Sequence, residues 1–218
     1  MKSTATASGH AVSTARRPPE QRARWLAAVP TMPQFPTTPG RVRWLTHEDW
    51  QRLEPLLPQH LRQLARFTLA TGLRRHNATH LRWDKVDMQR RVAWVSAKDV
   101  KPRQAIGIPL NNDAMLLLNE QIGLHPQWVF PYHGRPVTQT ATRAWRAALA
   151  KAGIPDFTWH DLRHTWASWH VMNGTRLEEL QRLGGWKTLT MVTRYAHLSP
   201  EHLARVADNA RPVSMTKL

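Results

Sequence analysis

A mostly helical domain with a small antiparallel β-sheet near its first third (an α+β fold) is what this sequence predicts. Three observations predict it. Apolar residues recur at helical spacing over most of the chain after Val42. One stretch alternates on both sides of a polar turn, "RVAWVS" then "AKDVKPRQ" then "AIGIPL", as a β-hairpin does. The first forty residues share neither pattern.

Those first residues contain "ARRPPEQ" and "VPTMPQFPTTPG", and six of the 16 prolines fall between Pro18 and Pro39. So little apolar surface cannot build a core, so residues 1–40 are expected to be a basic linker or disordered segment, with a short helix around 20–29 as one option. Residues 41–210 are expected to form the folded domain and 211–218 a tail. Thr46 and Asp49 have the spacing of a capping box and open a helix toward Leu57. "HLRQLARFTLATG" places Leu61, Leu64, Ala65, Thr68 and Leu69 on one face and stops at Gly72. A short helix is expected in "RHNATHLRW", ahead of the hairpin. Further helices are expected over about 112–122, 138–152, 160–173, 175–184, 188–197 and 200–209. Gly153 and Gly174 stand at C-cap positions, and "SPEH" puts proline at a first helical position.

Charge narrows the function. The chain carries 31 Lys and Arg against 15 Asp and Glu, a formal +16. Residues 1–43 hold seven bases and one acid, which leaves 24 bases and 14 acids, still +10, for the rest. A domain this positive repels itself unless a polyanion neutralises it, so nucleic acid is the leading partner. A membrane surface is disfavoured, because no lone basic amphipathic helix stands out. The absence of cysteine excludes disulfides, thiolate zinc ligands and thiol nucleophiles. No apolar run approaches the roughly 18 residues of a membrane span, and the N-terminus lacks a secretory signal's apolar centre. A cytoplasmic location is the expectation.

"HDLRHTWASWH", residues 160–170, admits two chemistries. His160, His164 and His170 have the spacing of a zinc protease. However, Asp161 replaces the longer glutamate that such a site uses as base, and Ala167 stands where a helix-breaking glycine is needed. In an unbroken helix His170 lies about 280° around from His160, off any ligand face. No metal is therefore expected, and His164 and His170 are read as surface or hydrogen-bonded core histidines. The other chemistry is phosphate binding. Breaking a phosphodiester without metal requires fixed cations on the nonbridging oxygens, a base, an acid and a hydroxyl nucleophile. Arg suits the first task because it is always charged and donates in parallel pairs. Arg74 follows the helix that stops at Gly72, with Arg75 as its rival. Lys98, with Lys101 as its rival, stands at the hairpin tip. His160 and Arg163 share a helical face. Trp186 follows two glycines and offers an indole N–H, and Tyr195 comes nine residues later. Tyr132, in a Pro/Gly loop, is the other tyrosine. Trp44, Trp94 and Trp145 are read as core.

In order and spacing, TGLRR (71–75), SAKDVKPR (96–103), HDLRHTWAS (160–168), LGGW (183–186) and RYAHLSP (194–200) resemble the catalytic domain of the tyrosine recombinases of phage-integrase type, over about 41–205. The resemblance implies that fold, and a site-specific DNA recombinase that cleaves and rejoins double-stranded DNA through a 3′-phosphotyrosyl intermediate, without metal, ATP or other cofactor. It implies that Arg74 and Arg163 clamp the scissile phosphate and that His160 bonds it and assists removal of the tyrosine proton. Trp186 fills a position that is His or Trp in the family. Lys98 protonates the leaving 5′-oxygen, and Tyr195 is the nucleophile. Implied partners are DNA, other copies of the chain up to a tetramer on DNA, and accessory DNA-bending proteins, with no membrane. Two departures stand out. Asn77 occupies a usually acidic position that braces the site, and a preceding core-binding domain is expected but is not seen in residues 1–40. The alternative is thus a catalytically impaired DNA-binding remnant of a prophage integrase lacking that domain. A type IB topoisomerase would use much the same site. The helix over 200–209, with Leu203, Val206 and Ala207 on one side, is expected to dock on a neighbouring protomer or in cis.

Overall fold

The computed structural model describes residues 42–96, 105–199 and 207. The expected linker, the hairpin tip with Lys98 and Lys101, the "SPEH" turn, the rest of the 200–209 helix and the tail lie outside the described residues. The described residues all fall in one compact unit.

Seven α-helices and two small sheets are described. Helix α1 (His47–Leu53) opens with the expected capping box: the Asp49 amide donates to the Thr46 hydroxyl at 3.0 Å and the Thr46 amide to the Asp49 carboxylate at 3.1 Å. A 3-10 turn over Glu54–Leu56 carries the chain to Pro58 and α2 (Gln59–Thr71). Gly72 ends α2 in the left-handed region at φ 64°. Helix α3 (Arg75–Thr79) follows at once, with Arg74 at its N-cap.

Three antiparallel strands come next in the order β1–β2–β3: β1 (Val86–Asp87), β2 (Val92–Ser96) and β3 (Ala105–Pro109). Val92 pairs with Pro109 and Ser96 with Ala105. Alternation sends Ala93, Val95 and Ile108 into the core. Trp94 therefore points the other way and is 45% exposed, which corrects its reading as core. Trp44 is half-buried and Trp145 buried. Helices α4 (Asn112–Gln121) and α5 (Arg143–Ala152) flank a two-residue hairpin, β4 (Pro131–Tyr132) with β5 (Arg135–Pro136). Tyr132 stacks on His60 at 3.9 Å. Helix α5 starts five residues later than its expected start, because Thr142 caps it by accepting from the Trp145 amide.

The main core joins α1, α2, α4, α5 and the three-stranded sheet. A second, smaller core gathers Trp166, Ala167, Val171, Leu180, Val192 and Tyr195. It unites α6 (Asp161–Met172), α7 (Leu177–Gly184) and the segment that carries Tyr195. That segment is two 3-10 stretches, Leu189–Met191 and Thr193–Leu198, in place of the helix expected over 188–197. The segment 42–46 that leads into α1 is tied to α6 through both backbone groups of Leu45. The Leu45 amide donates to the Thr165 hydroxyl at 3.1 Å, and the Trp169 indole donates to the Leu45 carbonyl at 2.9 Å.

Candidate active site

The junction of α2, α6 and α7 is built around Arg163. It sits on the inner face of α6 and is only 5% exposed. One guanidinium nitrogen, Nη1, donates to the Gly72 carbonyl, and Nη2 donates to the Gly184 carbonyl at 2.6 Å. Its carbon lies 4.0 Å from the centre of the Trp186 ring. Burial, then the neighbouring charge of Arg74, lowers its pKa to about 10, still far above neutrality. The cation is thus fixed by two helix C-terminal carbonyls and an aromatic face. Among the described residues no carboxylate pairs with Arg74, Arg163 or Arg194.

The two glycines are there for space. A Cβ on Gly72 would stand 2.3 Å from the Trp166 ring, at a φ that L residues rarely adopt. A Cβ on Gly184 would stand 1.9 Å from the Trp186 ring. Only hydrogen at these positions lets the carbonyls face Arg163 while the tryptophans close over them. The ring face of Trp186, stacked on Trp166 at 6.0 Å, covers the guanidinium.

His160 stands at the N-cap of α6. The turn before it is fastened by Asp161, whose carboxylate accepts from the Thr158 amide at 2.6 Å and hydroxyl at 2.8 Å. His160 keeps a large exposed surface. Partial burial, then the charge of Arg163, lowers its pKa; Arg74 and Arg194 add to this and Asp161 opposes it. Arg74, half-buried, thus lies within electrostatic reach of both His160 and Arg163. Arg75 is exposed beside it and Asn77 lies half-buried on α3. Four of the six residues singled out by sequence therefore meet around Arg163: Arg74, His160, Trp186 and Arg163 itself.

Tyr195 joins them from the 3-10 segment, but its hydroxyl is not turned to solvent. The residue is 1% exposed, and the hydroxyl lies 2.6 Å from His164 Nδ1. Burial pushes its pKa up to about 12, against the opposing pull of Arg163 and Arg194. His164 is itself pushed down to about 4, first by burial and then by His160. Its ring packs edge-on to His160 at 5.0 Å. His164 was expected as a surface or hydrogen-bonded core histidine, and it is half-buried and hydrogen-bonded; its partnership with Tyr195 was not foreseen. The signal that could have found it is its position one turn after His160, on the same side of α6. Arg194, adjacent to the tyrosine, was missed as well. His170 faces Thr175 at 3.0 Å and meets the Trp166 ring edge-on, away from His160 and His164.

An α-helical domain with this sheet and this cluster has the fold of a tyrosine recombinase catalytic domain. The catalytic domain of bacteriophage HP1 integrase superposes with a TM-score of 0.59 at 25% identity, over 82% of this chain and 100% of that one. The Tn1549 transposon integrase, solved in complex with circular intermediate DNA, gives a TM-score of 0.65 at 18% identity over 78% of this chain and 68% of that one, a likeness of fold alone. Residues 43–202 match the model of the phage integrase family, and the chain belongs to that family. The integrase of Salmonella phage P22 is 45% identical over 180 residues, 77% of this chain and 46% of that protein. The tyrosine recombinase XerD of Lacticaseibacillus casei is 31% identical over 169 residues, 71% of this chain and 57% of that protein. The chain thus spans about half the length of the curated relatives it matches. No helix among the described residues is long and apolar enough to cross a membrane.

Proposed function

We propose that this chain is the catalytic domain of a site-specific DNA recombinase, folded over residues 41–210 and acting through Tyr195. The observation that carries the reading is the buried, carboxylate-free Arg163, with Arg74 and His160 around it and Tyr195 in the same small core. A guanidinium held by carbonyls and an indole, with no acid to neutralise it, is a receptor for an external anion. A backbone phosphate fits its charge and the overall excess of +16.

In the reaction, the Tyr195 oxygen attacks phosphorus as the bond to the 5′-oxygen breaks. The phenolic proton leaves with assistance from His160, and the departing 5′-oxygen takes a proton from Lys98. The product is a 3′-phosphotyrosyl ester, and attack on it by another strand's 5′-hydroxyl reverses each step. Arg74 and Arg163 hold the nonbridging oxygens while negative charge builds on them. No step needs metal or ATP. Double-stranded DNA in the cytoplasm is the substrate, bound by several copies of the chain up to a tetramer, with accessory DNA-bending proteins as further partners.

A nicked suicide duplex tests this, since loss of the short fragment traps the adduct. Incubation in the presence of a chelator, with a core-binding domain supplied in trans, should give a DNA adduct on a denaturing gel, absent for Tyr195→Phe. DNA binding without any adduct would favour the impaired remnant instead. Relaxation of a plasmid without site preference would favour a topoisomerase.

A further inference from the structure

We infer that His164 is a positioning residue that holds the Tyr195 phenol in a docked, protonated state until DNA is bound; the inference rests on the recombinase reading of Tyr195.

Three observations carry it. His164 Nδ1 lies 2.6 Å from the Tyr195 oxygen and is that hydroxyl's one hydrogen-bond partner among the described residues, so a buried phenolic proton has this nitrogen as its acceptor. Tyr195 has almost no exposed surface, so its hydroxyl is satisfied by this one imidazole and not by water. The ring of His164 is fixed in turn, edge-on to His160 and on a helix whose next residue, Thr165, is tied to Leu45.

The same geometry says what His164 does not do. A phenol raised to about 12 does not pass its proton to an imidazole lowered to about 4, since burial pushes the two further apart than they stand in water. The contact is therefore a latch and not a base. Both groups owe their shifts first to burial, so opening the docked pair to the cation cluster favours the phenolate. His160, at the mouth of the same cluster, is where a bound phosphate acts on the latch: it neighbours both Arg163 and the His164 ring. The backbone beneath Tyr195 suits release, being a 3-10 stretch and not a regular helix.

Nitration by tetranitromethane, which attacks phenolates, reads the latch in the full chain without DNA. Exposed Tyr132 serves as the internal standard, and peptide mass spectrometry separates the two sites. His164→Leu fills the space but accepts nothing, whereas His164→Asn keeps an acceptor close to the Nδ1 position. The expected result is nitration of Tyr195, relative to Tyr132, at least about tenfold faster in His164→Leu and within about twofold of the unsubstituted chain in His164→Asn. An unchanged rate in His164→Leu would overturn the proposal. Equal acceleration in both variants would also overturn it, because a packing role would loosen both alike. Failure of the recombinase reading looks different: the unsubstituted chain would form no adduct through Tyr195, whatever its nitration pattern.

Discussion

Arg163 and Tyr195 belong to neighbouring parts of one small site, yet the fold holds them in opposite ways. Arg163 projects from the first turn of a twelve-residue helix, and backbone carbonyls at the ends of two other helices bind it. Nothing about it can move without disturbing α2, α6 and α7 together. Tyr195 rides on a short 3-10 stretch, and its polar end is held by one side chain, His164. The cation is preorganised and the phenol is stored. That division suits the proposed reaction, in which positive charge must be ready for a phosphate while the nucleophile stays unreactive until one arrives.

The largest effect should come from breaking the rigid half. Arg163→Ala leaves the Gly72 and Gly184 carbonyls without their partner and removes a clamp cation. Adduct formation on the nicked duplex should fall by about 10³-fold or more. Arg163→Lys should recover little, because one ammonium cannot serve two carbonyls and a phosphate in the same fork. Recovery to near the unsubstituted rate would show that the fork does not matter.

Next in size are the glycines. Gly72→Ala drives a methyl group into Trp166 at a positive φ, and should cost roughly 2–4 kcal/mol in urea unfolding. A cost under about half a kcal/mol would mean that α2, α6 and Trp166 are not packed as described.

The stored half is probed by pH. The pKa of Tyr195 is raised in the folded chain, so its contribution to stability is complete below pH 10 and is lost as pH rises toward 12. The pKa of His164 is lowered, so its contribution is complete above pH 6.5 and is lost as pH falls toward 4. Tyr132→Phe leaves Tyr195 as the sole tyrosine, and its absorbance titration should then have a midpoint near 12. A midpoint near 10 in the folded chain would place the phenol in water. Smallest of all, Thr46→Ala should cost about 1 kcal/mol and leave the adduct rate unaltered, since that cap lies away from both halves.

Much of the fold was legible because its signals are local. Thr46 with Asp49 fixes one helix start, Gly72 one helix end, and alternation about a polar turn the hairpin. The proximity of Arg74, His160, Arg163, Trp186 and Tyr195 was legible from motif order, whereas Lys98 lies beyond the described residues. What stayed hidden depends on contacts between distant segments. Trp94 read as core by composition, but strand alternation set it outward. The ring contact of Trp186 with Arg163 arises only when α6 and α7 pack. The partnership of His164 with Tyr195 joins residues 31 positions apart, and only the place of His164 one turn after His160 hints at it. The 3-10 backbone under Tyr195 likewise mimics a helical pattern over ten residues while its hydrogen bonds are of another type.

The most direct test is to identify the amino acid that carries the DNA. Peptide mapping of the trapped adduct should find a single modified peptide, with the 3′-phosphate of the cleaved strand esterified to Tyr195. A linkage at Tyr132, at a serine or at a histidine, or an adduct that persists in Tyr195→Phe, would contradict the account.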